Sequence, residues 1–128
     1  MNFDEMHKVI KKGDVIAVRA ALDNGVDANL SNTFSWTLLM LAAIEGDSPV
    51  SELLISRGAN VDKANSFGET ALSLAACGGH LRLIRTLLAH GASKDCRPHG
   101  TTLKDWVKVS SGLSPENIRS VLDLVGND

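Results

Sequence analysis

Gly13, Gly46, Gly79 and Gly112 stand 33 residues apart, and Gly25, Gly58 and Gly91 repeat the same step. Thr37 and Thr70 share it, as do Leu39 and Leu72, and the pairs Leu54-Ile55 and Leu87-Leu88. Five independent sets in register at one period mark a chain of repeated units. A unit of this length is too short to bury a core alone. It closes its apolar face against its neighbours, so the period predicts a stack.

The stretch GETALSLAACGGHLRLIRTLLAHGA, residues 68–92, shows what one unit contains. A first helix is predicted to begin at Thr37 or Thr70, whose hydroxyl can accept from the free first-turn amides, and to end at Gly46 or Gly79. Leu72, Ala75 and Ala76 fall at i, i+3 and i+4, one helical stripe. The paired alanines are small enough to let a neighbouring helix approach closely. A second helix carries Leu81, Ile84, Leu87 and Leu88 on one side and Arg82 and Arg85 on the other. It stops at Gly58 or Gly91, where glycine tolerates the left-handed conformation. An extended polar segment, ANVDKANSFG, leads to the next unit, with Asn65 and Gly68 suited to a tight turn at its tip.

This unit resembles the ankyrin repeat. The family's Gly-x-Thr-Pro-Leu-His, Ala-Ala, Gly-His, Leu-Leu and Gly-Ala elements are carried by residues 68–92, and more loosely by SWTLLMLAAIEGDSPVSELLISRGA. FDEMHKVIKKGDVIAVRAALDNGV reads as a diverged first copy, with Asp4 in the capping threonine's place and Met6 in the leucine's. The resemblance implies an all-α solenoid of four stacked helix-turn-helix units with short β-hairpin or turn tips. The unit limits are about 2–34, 35–67, 68–99 and 100–128 in one domain spanning 1–128, with the first and last units as caps of a free-standing stack. The helix pairs are expected at 4–11 with 14–23, 37–45 with 49–56, 70–77 with 81–89, and 102–110 with 115–125. There are departures from the family's pattern. Its Pro is Leu38 and Ala71 here, and its His is Met40 and Ser73, which removes the usual Thr–His bond and predicts less stable units. After Gly91 the tip is clipped, predicting a longer first helix in the fourth unit with Trp106 and Val107 replacing the paired alanines. Ser114 and Pro115 start the last helix, and Val121, Leu122 and Val125 form its buried face.

Little in the chain suggests catalysis. His80 occupies the Gly-His position, where the resemblance implies a bond to loop backbone. His90 ends a helix, favoured by the negative end of its dipole, and His7 is expected in solvent. His90, Cys96 and His99, with Asp95 nearby, are the strongest metal-like group, but a structural zinc wants four closely spaced ligands and only one Cys is present. CGGH follows no strand and reads as a turn between helices rather than a phosphate loop. No catalytic, cofactor or metal residue is assigned. Thirteen Lys and Arg against fifteen Asp and Glu give a net charge of −2, with no basic excess of the kind a nucleic-acid binder shows. No apolar run is long enough to cross a membrane, and the N-terminus has no signal-peptide core. Cys77 and Cys96 read as reduced thiols of an intracellular protein, cytoplasmic or nuclear.

The resemblance implies a protein partner on the concave face made by tips and first helices. Carried over residue by residue, that face holds Phe3, Lys11 and Lys12 in the first unit, and Thr33, Phe34, Trp36, Ile44 and Glu45 in the second. Ser66, Phe67, Glu69, Cys77 and Gly78 follow in the third, and His99 in the fourth. Four of the five aromatics fall on it. Rings clustered on one exposed face mark an interaction site, although the phenylalanines can also pack on neighbouring tips. The reading is a monomeric, non-enzymatic adaptor, scaffold or inhibitor that binds an apolar peptide or surface, with a basic residue near Glu45 and Glu69. The alternatives are a nucleic-acid-associated regulator and a thiol sensor using Cys77 or Cys96.

Overall fold

A computed structural model describes residues 1–126. Its eight α-helices form four antiparallel pairs: α1 (Phe3–Lys11) with α2 (Val15–Asp23), α3 (Leu38–Glu45) with α4 (Ser48–Ser56), α5 (Ala71–Gly78) with α6 (Leu81–Ala89), and α7 (Leu103–Ser110) with α8 (Pro115–Val125). The first helices line up as one layer and the second helices as another, each touching its counterpart in the next unit. Between units the chain runs out to turn tips. Among the described residues there is no strand, only an isolated antiparallel bridge between Ser31 and Thr37.

Every α-helix but α6, whose N-cap His80 makes no side-chain cap bond, starts where a side chain satisfies a free amide. Thr37, Thr70 and Thr102 accept from the amides of Met40, Ser73 and Asp105. Asp14, Asp47 and Ser114 do the same for α2, α4 and α8, with Pro115 at the first helical position of α8. Two expectations are corrected. Asp4 does not cap α1, because Asn2 and Glu5 form a reciprocal capping box and start the helix two residues earlier. Nor is the third unit left without a partner for its threonine. Ser73 Oγ accepts from the Thr70 amide and donates to the Thr70 carbonyl, standing in for the histidine.

The core runs without interruption through the stack. Met6 and Ile10, Leu39, Ala42 and Ala43, Leu72, Ala75 and Ala76 seal the first helices together, while Val18, Leu54, Ile84, Leu87 and Val121 seal the second layer. Burial of side chains of the size of Leu and Ile stabilises by about 1.5–3 kcal/mol each.

The fourth unit departs from the sequence reading. α7 has eight residues, the same length as α3 and α5. Its cap Thr102 comes 32 residues after Thr70, so the tip, which contains a 3-10 turn at Pro98–Gly100, is one residue short. The lost residue is recovered in the wider link between α7 and α8, which returns Gly112 to the period. Counted from the caps, Val107 replaces Ala75, and both are fully buried. Trp106 instead replaces Leu74, on the groove side. The counterpart of Ala76 is Lys108, which is exposed.

His80 ties the second unit to the third. Its Nε2 lies 3.2 Å from the Ile44 carbonyl oxygen, as its motif position implies. The ring fills space that side chains on Gly46 and Gly78 would occupy. Gly46 is left-handed, at φ 66°, but Gly78 is helical, so its lack of a side chain serves the ring and not the backbone. A Cβ on Gly78 would lie 2.5 Å from His80 Nε2. Gly78→Ala is therefore expected to destabilise the protein by about 1–3 kcal/mol. In a His80→Ala background the same change is expected to be neutral, or stabilising by up to about 1 kcal/mol through helix propensity. Urea unfolding of the four proteins in the cycle reads that change of sign.

Candidate functional site

The concave face is organised by the tips. In the second unit Asn32 Oδ1 accepts from the amides of Phe34 and Trp36; in the third, Asn65 Oδ1 accepts from those of Phe67 and Glu69. These Asx turns present Phe34 and Phe67 at equivalent points. Ser35 and Gly68 hold the left-handed turn position, with φ 62° and 75°. Successive tips are also laced together by backbone. The Ser66 amide donates to the Phe34 carbonyl at 2.9 Å, and the His99 amide to the Phe67 carbonyl at 2.7 Å. A side chain on Gly68 would strike the Arg97 carbonyl oxygen, so the third and fourth tips meet on that glycine.

The result is a file of rings. Phe34 stacks on Phe67 with centroids 6.3 Å apart, Phe67 on His99 at 5.6 Å, and His99 on Trp106 at 4.8 Å. The phenylalanines do pack on neighbouring tips, yet Phe34 remains 56% exposed and Phe67 45%. Trp106, the one aromatic that the sequence reading left off this face, closes the file. It does so because the clipped tip rotates it into the place of Leu74.

Glu69 is not an exposed acid of the groove, and that expectation is corrected. Its carboxylate is buried, accepts from Asn65 Nδ2 at 2.9 Å and lies 3.2 Å from His99 Nε2. It supports the tip that carries Phe67 and the ring that stacks on it. Phe3 is likewise no tip residue. It is the first residue of α1, half-buried, in a tilted contact with His7. With His7, Asn32, Trp36, Leu41 and Ile44 it lines an open cleft of about 280 Å³ between the first two units.

The remaining assigned residues divide by position. Thr33 is exposed, and Ser66 is exposed with its hydroxyl on the Phe34 carbonyl. Ile44, 45% exposed, and Glu45 end α3, while Lys11 and Lys12 end α1, all open to solvent. Cys77 and Gly78 end α5, and Cys77 Sγ is 3.5 Å from the Ser110 carbonyl oxygen. His90, Cys96 and His99 do not converge. His90 Nδ1 is on the Thr86 carbonyl, His99 is on Glu69, and Cys96 meets the Thr70 side chain. Both thiols have raised pKa values: Cys77 through burial and the charge of Glu69, Cys96 mainly through burial against the opposing hydrogen bond from Thr70. A raised pKa leaves less thiolate at neutral pH, the reverse of an activated cysteine.

Lys8, Leu41, Leu74 and Trp106, none of them assigned from the sequence, form one column down the first helices, and the assigned Lys11, Ile44 and Cys77 form a second with Val109. The shared cleft of Leu41 and Ile44 with Trp36, and the stacking of Trp106 on a tip histidine, show that these columns face the tips. Counting 33 back from the second unit finds Lys8, whereas the fourth-unit members require the position of the Thr102 cap.

A family model described as ankyrin repeats, in three copies, matches residues 6–98. No curated protein matches the chain.

Glu69→Ala leaves Asn65 Nδ2 and His99 without their acceptor and is expected to cost about 1–3 kcal/mol; Glu69→Gln, which keeps an acceptor oxygen, is expected to cost less. Chemical denaturation measures both. At pH 8 both thiols are expected to react with iodoacetamide more slowly than free cysteine, gaining rate only as pH climbs past the ordinary thiol range. Unfolding in urea should remove the difference, and alkylation of the folded protein faster than free cysteine would restore the case for a thiol sensor.

Proposed function

The chain belongs to the ankyrin-repeat family, and from that premise we propose that it binds another protein on its concave face, acting as an adaptor, scaffold or inhibitor. Repeats of this family generally mediate protein–protein interaction, and the family is typically non-enzymatic. The observation that carries the reading is the ring file. Phe34 and Phe67 are braced by stacking and by hydrogen-bonded turns, yet each leaves about half its surface in water. Rings already fixed in position lose little conformational freedom on binding. Buried aromatic anchors commonly contribute about 2 kcal/mol or more each to an interface.

The surface supports an apolar contact first. The ring edges, Ile44 and the cleft supply it, and Thr33 and Ser66 add polar groups at the rim. We take the protein as a monomer that acts inside the cell; the free thiols Cys77 and Cys96 support the second part of that reading. No helix among the described residues is long and apolar enough to cross a membrane.

Affinity capture from a lysate of the source cells tests the reading. The baits are the wild-type chain and a Phe34→Ala, Trp36→Ala, Phe67→Ala variant whose circular dichroism matches it. A protein bound by the first and lost by at least about tenfold with the second is expected. Equal capture by both baits would rule out the concave aromatic surface as the site.

A further inference from the structure

The two groove columns change character along the stack. In the first unit they hold Lys8 and Lys11, followed by Lys12; from the second unit on they hold Leu41, Leu74 and Trp106 beside Ile44, Cys77 and Val109. All three lysines are exposed, and among the described residues none is in a salt bridge. They stand at i, i+3 and i+4 on α1 and therefore form one stripe. The acids of the same helix, Asp4 and Glu5, lie in its first turn, and Glu5 is held by the Asn2 amide. Burial of Glu69 leaves Glu45 as the sole acid at the groove-facing helix ends of the first three units. A chain of net charge −2 thus presents a basic stripe at one end of a groove that is mainly apolar beyond it, with Glu45 its exposed acid.

We infer that the groove takes an extended segment of the partner protein with acidic residues at one end, lying over Lys8, Lys11 and Lys12, and apolar residues beyond them, lying over Leu41, Ile44 and the ring file. This rests on the concave-face reading above and adds the partner's chemistry and direction. It reverses the expectation of a basic residue on the partner, because Glu69, one of the two acids that motivated it, is buried and engaged, which leaves Glu45 alone against three exposed lysines. Dimensions set the spacing. Packed helices lie roughly 9 Å apart, so four units span roughly 27 Å, about eight residues of extended chain. One apolar side chain about every three residues meets one unit each. Opposite charge at one end fixes which way the segment runs, since the reversed orientation would place apolar side chains on the lysines.

Selection from a phage-displayed library of random linear dodecamers, with the whole chain as target, tests this. Three further proteins are used: Lys8→Glu with Lys11→Glu and Lys12→Glu, the same three positions changed to Gln, and the Phe34→Ala, Trp36→Ala, Phe67→Ala variant. The Gln variant keeps the test valid if charge reversal at the end of α1 disturbs folding. The expected result is enrichment of peptides with two or more acids at one end and spaced apolar residues after them. Their affinity for the Gln variant should fall by about tenfold or more at low salt, and likewise for the aromatic variant. Peptides that lose affinity for the aromatic variant but bind the Gln variant unchanged overturn the acidic end and leave the concave-face reading standing. Peptides indifferent to both sets of changes overturn both. No enrichment overturns the extended segment, and lysine-dependent binding of a labelled RNA oligonucleotide in that case would assign the stripe to a polyanion.

Discussion

Close approach of the first helices is the constraint on which everything else in this protein depends. Ala42 and Ala43 in one unit and Ala75 and Ala76 in the next are fully buried between those helices. A larger side chain at these positions would separate the units, and packing at interior density leaves no room to absorb it. Because the helices are held close, the tips projecting from them are close too. The backbone bonds from Ser66 to Phe34 and from His99 to Phe67, and the stacking of the Phe34, Phe67 and His99 rings, follow from that spacing. The groove surface is in this sense a consequence of two pairs of alanines some distance beneath it.

The units are joined by polar groups as well as by packing. His80 reaches back to the Ile44 carbonyl through the space that Gly46 and Gly78 leave open. On the other side, Asn29 Nδ2 donates to the Gly58 carbonyl while its Oδ1 accepts from the Asn60 amide, and Asp62 accepts from the Ser93 amide. On the second-helix layer Arg57 pairs with Asp23 and Arg82 with Glu52, both in the open, where such pairs are worth little. Order between units is thus set mainly by buried side chains and by backbone groups that would otherwise lack partners, and only slightly by surface charge.

The groove itself is a composite of rigid and open parts. Buried Glu69 and Asn65, with the more exposed His99 bonded to Glu69, form a polar support under the third tip, and Trp106 closes the ring file at the far end. At the near end Phe3, His7 and Trp36 line a cleft, where later units carry stacked rings. The lysine stripe lies at that same end. The two ends of the groove therefore differ in shape as well as in charge.

The period, the eight helices, the caps at Thr37, Thr70 and Ser114 and the role of His80 were legible in the sequence, because each rests on residues within a few positions of one another or on a motif that recurs. Phe34 and Phe67 were legible as a pair for the same reason. The tertiary structure alone decided the rest. Glu69 looks like a surface acid until His99, 30 residues on, covers it. Trp106 looks like a packing residue until the Thr102 cap sets α7 one residue off the period and turns the indole toward the tips. Helix periodicity converts a one-residue shift in the starting cap into a rotation of about 100° for every side chain that follows. Which residue starts a helix can be a local matter, but which face each side chain then shows, and what covers it, depends on units that meet only in the folded stack.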